Sequence, residues 1–226
     1  MKKYIQKLVN SKLFFNMVEN EIESVLHCLS ANVKSYKKGE YIFNVGDTIE
    51  NIALIIMGNI HLEKEDFLGN KTILSHISEN DIFGASYYYN NEPISFNIIS
   101  SSDSIIMFLN IKKAFDMSYK CCPLNIKISK NFIDIILRKN RTITKKIEHI
   151  SQRTIRNKLV SYLSEEVFRN NSNSFYIKFN RQQLADYLCI DRSALSNELS
   201  KMRNEGILNF SKNYFELNNK FNSLNF

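Results

Sequence analysis

The spacing of apolar positions changes period twice along the chain. Glu19 to Leu29 places Ile22, Val25, Leu26 and Leu29 at steps of three and four, which predicts an amphipathic helix. From Ala31 to about Leu109 short apolar or alternating runs replace this pattern: Tyr41–Phe43, Ile52–Met57, Asn59–Glu63, Lys71–Ile77, Ile94–Ile99 and Ser104–Leu109. Turn signals separate them at Lys38-Gly39, Val45-Gly46-Asp47, Met57-Gly58-Asn59, Leu68-Gly69-Asn70 and Glu79-Asn80-Asp81. Five of the six glycines fall in residues 39–84, four of them within these breaks and Gly84 three residues past the last. Many short strands at this turn spacing predict an antiparallel barrel or sandwich.

The second change comes at Cys121-Cys122-Pro123, where Pro123 suits the first turn of a helix. No further Gly or Pro follows before Ile150. Phe132, Ile136, Ile143, Ile147 and Ile150 fall at steps of four, seven, four and three, an a/d-like seam along one long helix. The other faces carry Lys127, Lys130, Arg138, Lys139, Arg141, Lys145 and Lys146. That crowding favours a homodimer seam over a helix lying on its own domain. Ser151 is the expected cap of a following helix from Gln152 to about Arg169, and Phe175, Ile177 and Phe179 alternate as a short strand.

Residues 180–205 then read as two short helices joined by a tight turn. Asn180 with Gln183 forms a capping-box pattern ahead of Leu184, Ala185 and Leu188. Cys189-Ile190 makes the turn, and Asp191 caps a second helix with Leu195, Leu199 and Met202 inward. Its outward residues, Arg192, Ser193, Ser196, Asn197, Ser200 and Lys201, are short, polar or basic and suit contact with base edges in a major groove. Gly206 ends that helix. Ile207–Phe210 and Tyr214–Leu217 flank Ser211-Lys212-Asn213 as a hairpin wing with a basic tip.

Charge supports the same division. Residues 1–120 hold 12 Lys, no Arg and 14 acids, a net of −2, whereas residues 121–226 hold 18 basic and 9 acidic residues, a net of +9. One basic half is the footprint expected of a domain facing a polyanion. No apolar run is long enough to span a bilayer and no secretory h-region is visible, so a cytoplasmic protein without membrane contact is expected. Cys28, Cys121, Cys122 and Cys189 show no framework spacing and are expected as thiols.

With these parts in order, the chain resembles the CRP/FNR superfamily of bacterial transcription regulators. The sensor half matches in Tyr36-Lys-Lys-Gly-Glu-Tyr-Ile-Phe, Val45-Gly-Asp, Ile55-Ile-Met-Gly-Asn-Ile-His-Leu, Gly69-Asn-Lys-Thr-Ile-Leu-Ser and Asp81-Ile-Phe-Gly84. The C-terminal half matches in Arg181-Gln-Gln-Leu-Ala-Asp-Tyr-Leu through Arg192-Ser-Ala-Leu-Ser-Asn-Glu-Leu-Ser-Lys-Met. The resemblance implies an α+β chain in three parts. They are a jelly-roll β-barrel of the cyclic-nucleotide-binding kind (residues 1–120), a long dimerisation helix (121–150) and a winged helix-turn-helix (151–226). It implies a homodimer on palindromic double-stranded DNA, with RNA polymerase as a further partner. Arg192, Ser193, Ser196 and Asn197 fall at base-reading positions. Arg181 and Gln182 fall at phosphate-contacting positions, to which the outward Lys201 and the wing-tip Lys212 are added.

The sensor departs from that pattern. Family members that bind cyclic nucleotides carry Phe-Gly-Glu, then an Arg some ten residues later, for the ribose hydroxyl and the cyclic phosphate. Here Ala85 follows Phe83-Gly84, and Ile94 or Ser95 stands at the Arg position. Without a bidentate cation the phosphate would be poorly held, so cyclic AMP is not the expected effector. Gly84, Ala85, Ser86, Tyr87, Ser95 and Phe96 remain the candidate pocket for an unidentified small molecule, although barrel packing is the favoured reading of Tyr87, Tyr88, Tyr89 and Phe96. No cofactor or metal is expected. Cys28, Cys121 and Cys122 lack iron–sulfur spacing, and His27, His61, His76 and His149 read as packed or surface residues rather than haem ligands. The pair Cys121-Cys122 reads as an inert helix entry in preference to a redox sensor. No nucleophile–base pair, metal cluster or phosphate-binding glycine loop points to an enzyme. The alternative to a regulator is a nucleotide- or small-molecule-binding module that signals through a protein partner.

Overall fold

The computed structural model describes residues 2–116 and 124–222. Cys121, Cys122 and Pro123 lie outside the described residues. The chain forms two compact bodies, residues 1–136 and 137–226. The division falls inside the long helix.

The first body opens with helices α1 (Ile5–Val9) and α2 (Glu19–Cys28). Strands β1 (Asn32–Tyr36), β2 (Tyr41–Phe43), β3 (Ile52–Met57), β4 (Asn59–Glu65), β5 (Lys71–Ser78) and β6 (Ile82–Phe83) follow. Helix α3 (Ala85–Asn90) precedes β7 (Asn97–Ser100), β8 (Ser104–Leu109) and the short α4 (Lys112–Phe115). The strands form two antiparallel sheets of order β1-β8-β3-β6 and β2-β7-β4-β5. The result is a jelly-roll of two open sheets, not a closed barrel. Ile52 to Ile56 of β3 are all buried, because this central strand is covered on both faces. One core takes in Leu13, Phe14, Ile22, Val25 and Leu26 from the N-terminal segment and Ile60, Ile98, Ile106 and Met107 from the sheets. β1, β6, α3 and α4 had no clear periodic signal, being short or half-exposed.

Helix α5 runs Asn125–Ile150. Ile128 and Ile135 are buried in the core of the first body, and Phe132 and Ile136 pack against it. Phe132 and Ile136 are thus half-buried within the chain. Ile150 is half-buried, whereas Ile143 and Ile147 are exposed. The outward apolar residues of this helix are Ile126, Ile133, Leu137, Ile143 and Ile147.

In the second body α6 (Ile155–Asn170), β9 (Ser174–Tyr176), α7 (Arg181–Leu188), α8 (Arg192–Asn204), β10 (Leu208–Ser211), β11 (Tyr214–Leu217) and α9 (Asn219–Asn222) follow the C-terminal half of α5. Thr154, not Ser151, caps α6: its hydroxyl oxygen accepts from the Asn157 N–H at 3.1 Å. The Ser151 N–H still donates to the Ile147 carbonyl and so finishes α5. Three antiparallel strands in the order β10-β11-β9 back the helices. Leu159, Leu163, Phe175, Leu184, Leu188, Leu195, Leu199, Met202, Leu208 and Phe215 form their common core. No helix among the described residues is long and apolar enough to cross a membrane.

Candidate nucleic-acid interface

Local chemistry sets both ends of the helical pair. The Asn180 side chain accepts from the Gln183 N–H at 2.9 Å, while the Gln183 side chain accepts from the Asn180 N–H at 2.9 Å. Cys189 ends α7 in the left-handed region with φ +53°, and the Ile190 N–H returns to the Ala185 carbonyl at 3.0 Å. Ala185 is buried where α7 meets α8, a close approach that suits a small side chain. Asp191 Oδ1 then accepts from the N–H groups of Ser193 and Ala194 at 2.7 and 3.0 Å and from the Ser193 hydroxyl at 2.5 Å. These bonds, the Ser193 hydroxyl first, hold the Asp191 carboxyl below its ordinary pKa. Gly206 closes α8 with φ +70°, and the Ile207 N–H reaches the Met202 carbonyl at 2.9 Å.

The expected reading face is laid out on α8. Leu195, Leu199 and Met202 are fully buried, which turns Arg192, Ser193 and Asn197 outward as exposed residues with Ser196 half-buried beside them. The Ser196 hydroxyl donates to the Arg192 carbonyl and that of Ser200 to the Ser196 carbonyl, both at 3.0 Å. With the Ser193 proton on Asp191, these serine oxygens present lone pairs outward, while Arg192 and Asn197 supply donors. Lys201 is exposed, as is Lys212 at the wing tip. Gln182 is exposed, with its amide donating to Asp186 Oδ1 at 2.8 Å.

Arg181, expected at a phosphate, is only half-exposed. Its guanidinium lies 5.0 Å from the Phe210 ring centre and 5.6 Å from that of Phe215, and Nη2 donates to the Lys212 carbonyl at 3.2 Å. Burial pulls its pKa below the ordinary arginine value. A second polar node also escaped sequence reasoning. Arg156 donates Nε to Glu198 at 2.6 Å and both terminal nitrogens to Glu205 at 2.7 Å, tying α6 to the middle and end of α8. Its partners lie 42 and 49 residues away, beyond any local pattern. Glu198 on an otherwise neutral and basic helix face was the one available signal.

His149 is buried, with Nδ1 at 2.9 Å from the Ser161 hydroxyl and Nε2 at 2.9 Å from Glu165. Lys145 and Arg169 also bind Glu165. Burial pushes that carboxyl upward, but the hydrogen bonds from Lys145 and His149 outweigh it and leave the pKa lowered. Both imidazole nitrogens are thus engaged in joining α5 to α6. Among the described residues no cluster of three or more His, Cys, Asp or Glu could hold a metal ion.

In the first body Gly84 adopts φ +81°, and a Cβ there would meet two Ile49 carbons at 3.1 Å. Ala85 is half-buried, Ser86 and Ser95 are exposed, and Tyr87 meets Phe96 edge-on at 5.5 Å with both packed on the core. Tyr88 is buried, and its hydroxyl donates to Asn110 Oδ1 at 2.7 Å while accepting from the Lys112 N–H at 3.2 Å. Ile94 is 1% exposed and belongs to the core.

Two family models match the chain: a cyclic nucleotide-binding domain over residues 33–118 and a Crp-like helix-turn-helix domain over residues 157–220. No curated protein sequence matches it. Among solved structures it is similar to CprK in complex with OCPA, at 12% identity, covering 92% of this chain and 94% of that one, with a TM-score of 0.64. It is also similar to the c-di-GMP responsive global regulator CLP of Xanthomonas campestris, at 14% identity, with coverage of 88% and 99% and a TM-score of 0.52. The catabolite activator protein of Thermus thermophilus gives 19% identity, coverage of 92% and 94%, and a TM-score of 0.51. At these identities the likeness is one of fold.

Proposed function

As the chain belongs to the CRP/FNR superfamily of DNA-binding transcription regulators, we propose that it works as a homodimer that reads a two-fold-symmetric DNA operator through α8 and answers to an effector other than cyclic AMP. The observation that carries this reading is the α8 surface. An apolar face is fully buried, and Arg192, Ser193 and Asn197 stand exposed on the opposite side of the same helix. Arg192 pairs with a guanine edge and Asn197 with adenine, while the serine oxygens accept from base amino groups. Gln182, Lys201 and Lys212 lie on phosphates.

The dimer seam we favour is the outward stripe of α5. Ile126, Ile133, Asn140 and Ile147 recur every seven residues, with Leu137 and Thr144 interleaved at a/d spacing. Ile126, Ile133, Leu137 and Ile147 are all exposed in the single chain, which supports their burial against a second copy. Ala85 after Gly84, with buried Ile94 and uncharged Ser95 at the arginine position, supports the exclusion of cyclic AMP, because none of them carries a charge to neutralise a phosphate and Ala85 cannot accept from a ribose hydroxyl. RNA polymerase is the further partner and the cytoplasm the place of action.

Selection of bound sequences from a random DNA pool tests the assignment. The wild-type protein is expected to enrich a palindrome with half-sites about one helical turn apart. Enrichment of no sequence, or of the same one by Arg192→Ala, would remove α8 from the reading role.

A further inference from the structure

We propose that Arg181 is a positioning residue for the wing: it fixes the turn that aims Lys212 at the DNA backbone and does not itself hold a phosphate. The inference rests on the DNA-binding reading above and assigns one residue within it.

Lys212 is a lysine in the left-handed region, with φ +53°. A side chain with a Cβ occupies that region at a cost, and the surroundings must hold it there. Two sets of contacts do so. On one side Arg181 Nη2 donates to the carbonyl of Lys212 itself. On the other, the Ile177 N–H donates to the Asn213 carbonyl at 2.9 Å and the Asn213 side chain donates to the Ile177 carbonyl at 3.1 Å. Arg181 is held in turn by the wing it serves. Its guanidinium rests on Phe210 and Phe215, and Arg203 of α8 also lies 4.9 Å from the Phe210 ring centre. Phe215 is fully buried, so this stack is anchored in the core. Held against two rings and aimed at a backbone carbonyl, the half-exposed guanidinium is oriented toward the wing turn. The Lys212 side chain, on the exposed tip, has all of its donors available.

A double-mutant cycle on a mixed-sequence duplex tests this without knowledge of the operator, since phosphate contacts dominate non-specific affinity. Lys212→Ala is expected to weaken binding on the order of tenfold at low salt and to reduce the salt slope by about one phosphate. Arg181→Ala should weaken binding comparably alone and have no further effect in the Lys212→Ala background. Arg181→Lys keeps the charge but loses the planar stack and the aimed N–H, so it should resemble Arg181→Ala. It also serves if the alanine variant melts early. Additive losses, or wild-type affinity in Arg181→Lys, would show Arg181 on the phosphate itself and overturn the proposal. A neutral Lys212→Ala would overturn it too, by removing the wing from the contact. The Arg192→Ala selection decides separately whether α8 reads DNA at all.

Discussion

The C-terminal body carries charged and polar chemistry outward, while the N-terminal body has uncharged residues at the positions where the family pattern places ligand-binding charge. On α8, Arg192, Ser193 and Asn197 lie exposed above a fully buried apolar face. In the first body, of the two residues that stand where the family pattern places an arginine, Ile94 is part of the core and Ser95 is exposed but uncharged. Yet the sensor keeps the backbone of that pattern. Gly84 still holds φ +81° in a place where a Cβ would crowd Ile49. Backbone geometry and ligand charge are thus separable requirements. The turn is kept because the packing around it needs it, and the side chains that would hold an anion are replaced without disturbing the strands.

The strongest test of this contrast is Ile94→Arg. A guanidinium introduced into an apolar core without a partner should lower stability by about 3–5 kcal/mol, seen as a large drop in melting temperature. A stable Ile94→Arg protein that gained thermal protection from cyclic AMP would show that the position opens into a ligand pocket, and the contrast would collapse.

Next in size is Leu137→Glu on the outward stripe of α5. Like charges across a dimer seam should weaken self-association roughly a hundredfold, giving monomers in sedimentation, while the melting of each body stays close to wild type. A dimer unaffected by this change would place the interface elsewhere.

Arg192→Ala is expected to cost about 1–3 kcal/mol of discrimination at one base pair of each half-site, with the fold intact, as read by titration against the selected palindrome and its single-base variants. Unchanged discrimination would leave the exposed face of α8 as ordinary solvated surface.

The smallest effect concerns the cap of α8. The Asp191 carboxyl has a lowered pKa in the folded state. Its contribution is therefore present above the unfolded value and lost as pH falls through the folded one. Melting curves between pH 7 and pH 3 should show wild type losing its margin over Asp191→Ala on acidification. A margin independent of pH would mean that the charged cap contributes nothing.

Much of the output body was legible before folding was considered. The Asn180–Gln183 capping box, the Asp191 cap, Gly206 and the spacing of Leu195, Leu199 and Met202 are local features, each acting within one or two helical turns. Strands β2, β3, β4, β5, β7 and β8 were legible for the same reason, since alternation and turn glycines are short-range, whereas β1 and β6 were not. The strand register was not. It depends on pairings such as Asn32 with Phe108, which no local period encodes.

What the sequence determined by itself is therefore the inventory: a β-rich half without arginine, a long helix, and a basic helix-turn-helix with a wing. Tertiary structure alone decided how residues of ambiguous type were used. α5 has more apolar positions than one face requires, and its periodicity cannot say which stripe covers its own core. The fold spends Phe132 and Ile136 there and leaves Ile133 and Leu137 outside. Arg181 and Arg156 look alike in sequence as basic residues of a DNA-facing domain. The fold stacks one on Phe210 and clamps the other between Glu198 and Glu205. The physical reason is common to all three cases. A side chain's partner is chosen by contacts between segments distant in sequence, and those contacts exist only once the chain has folded.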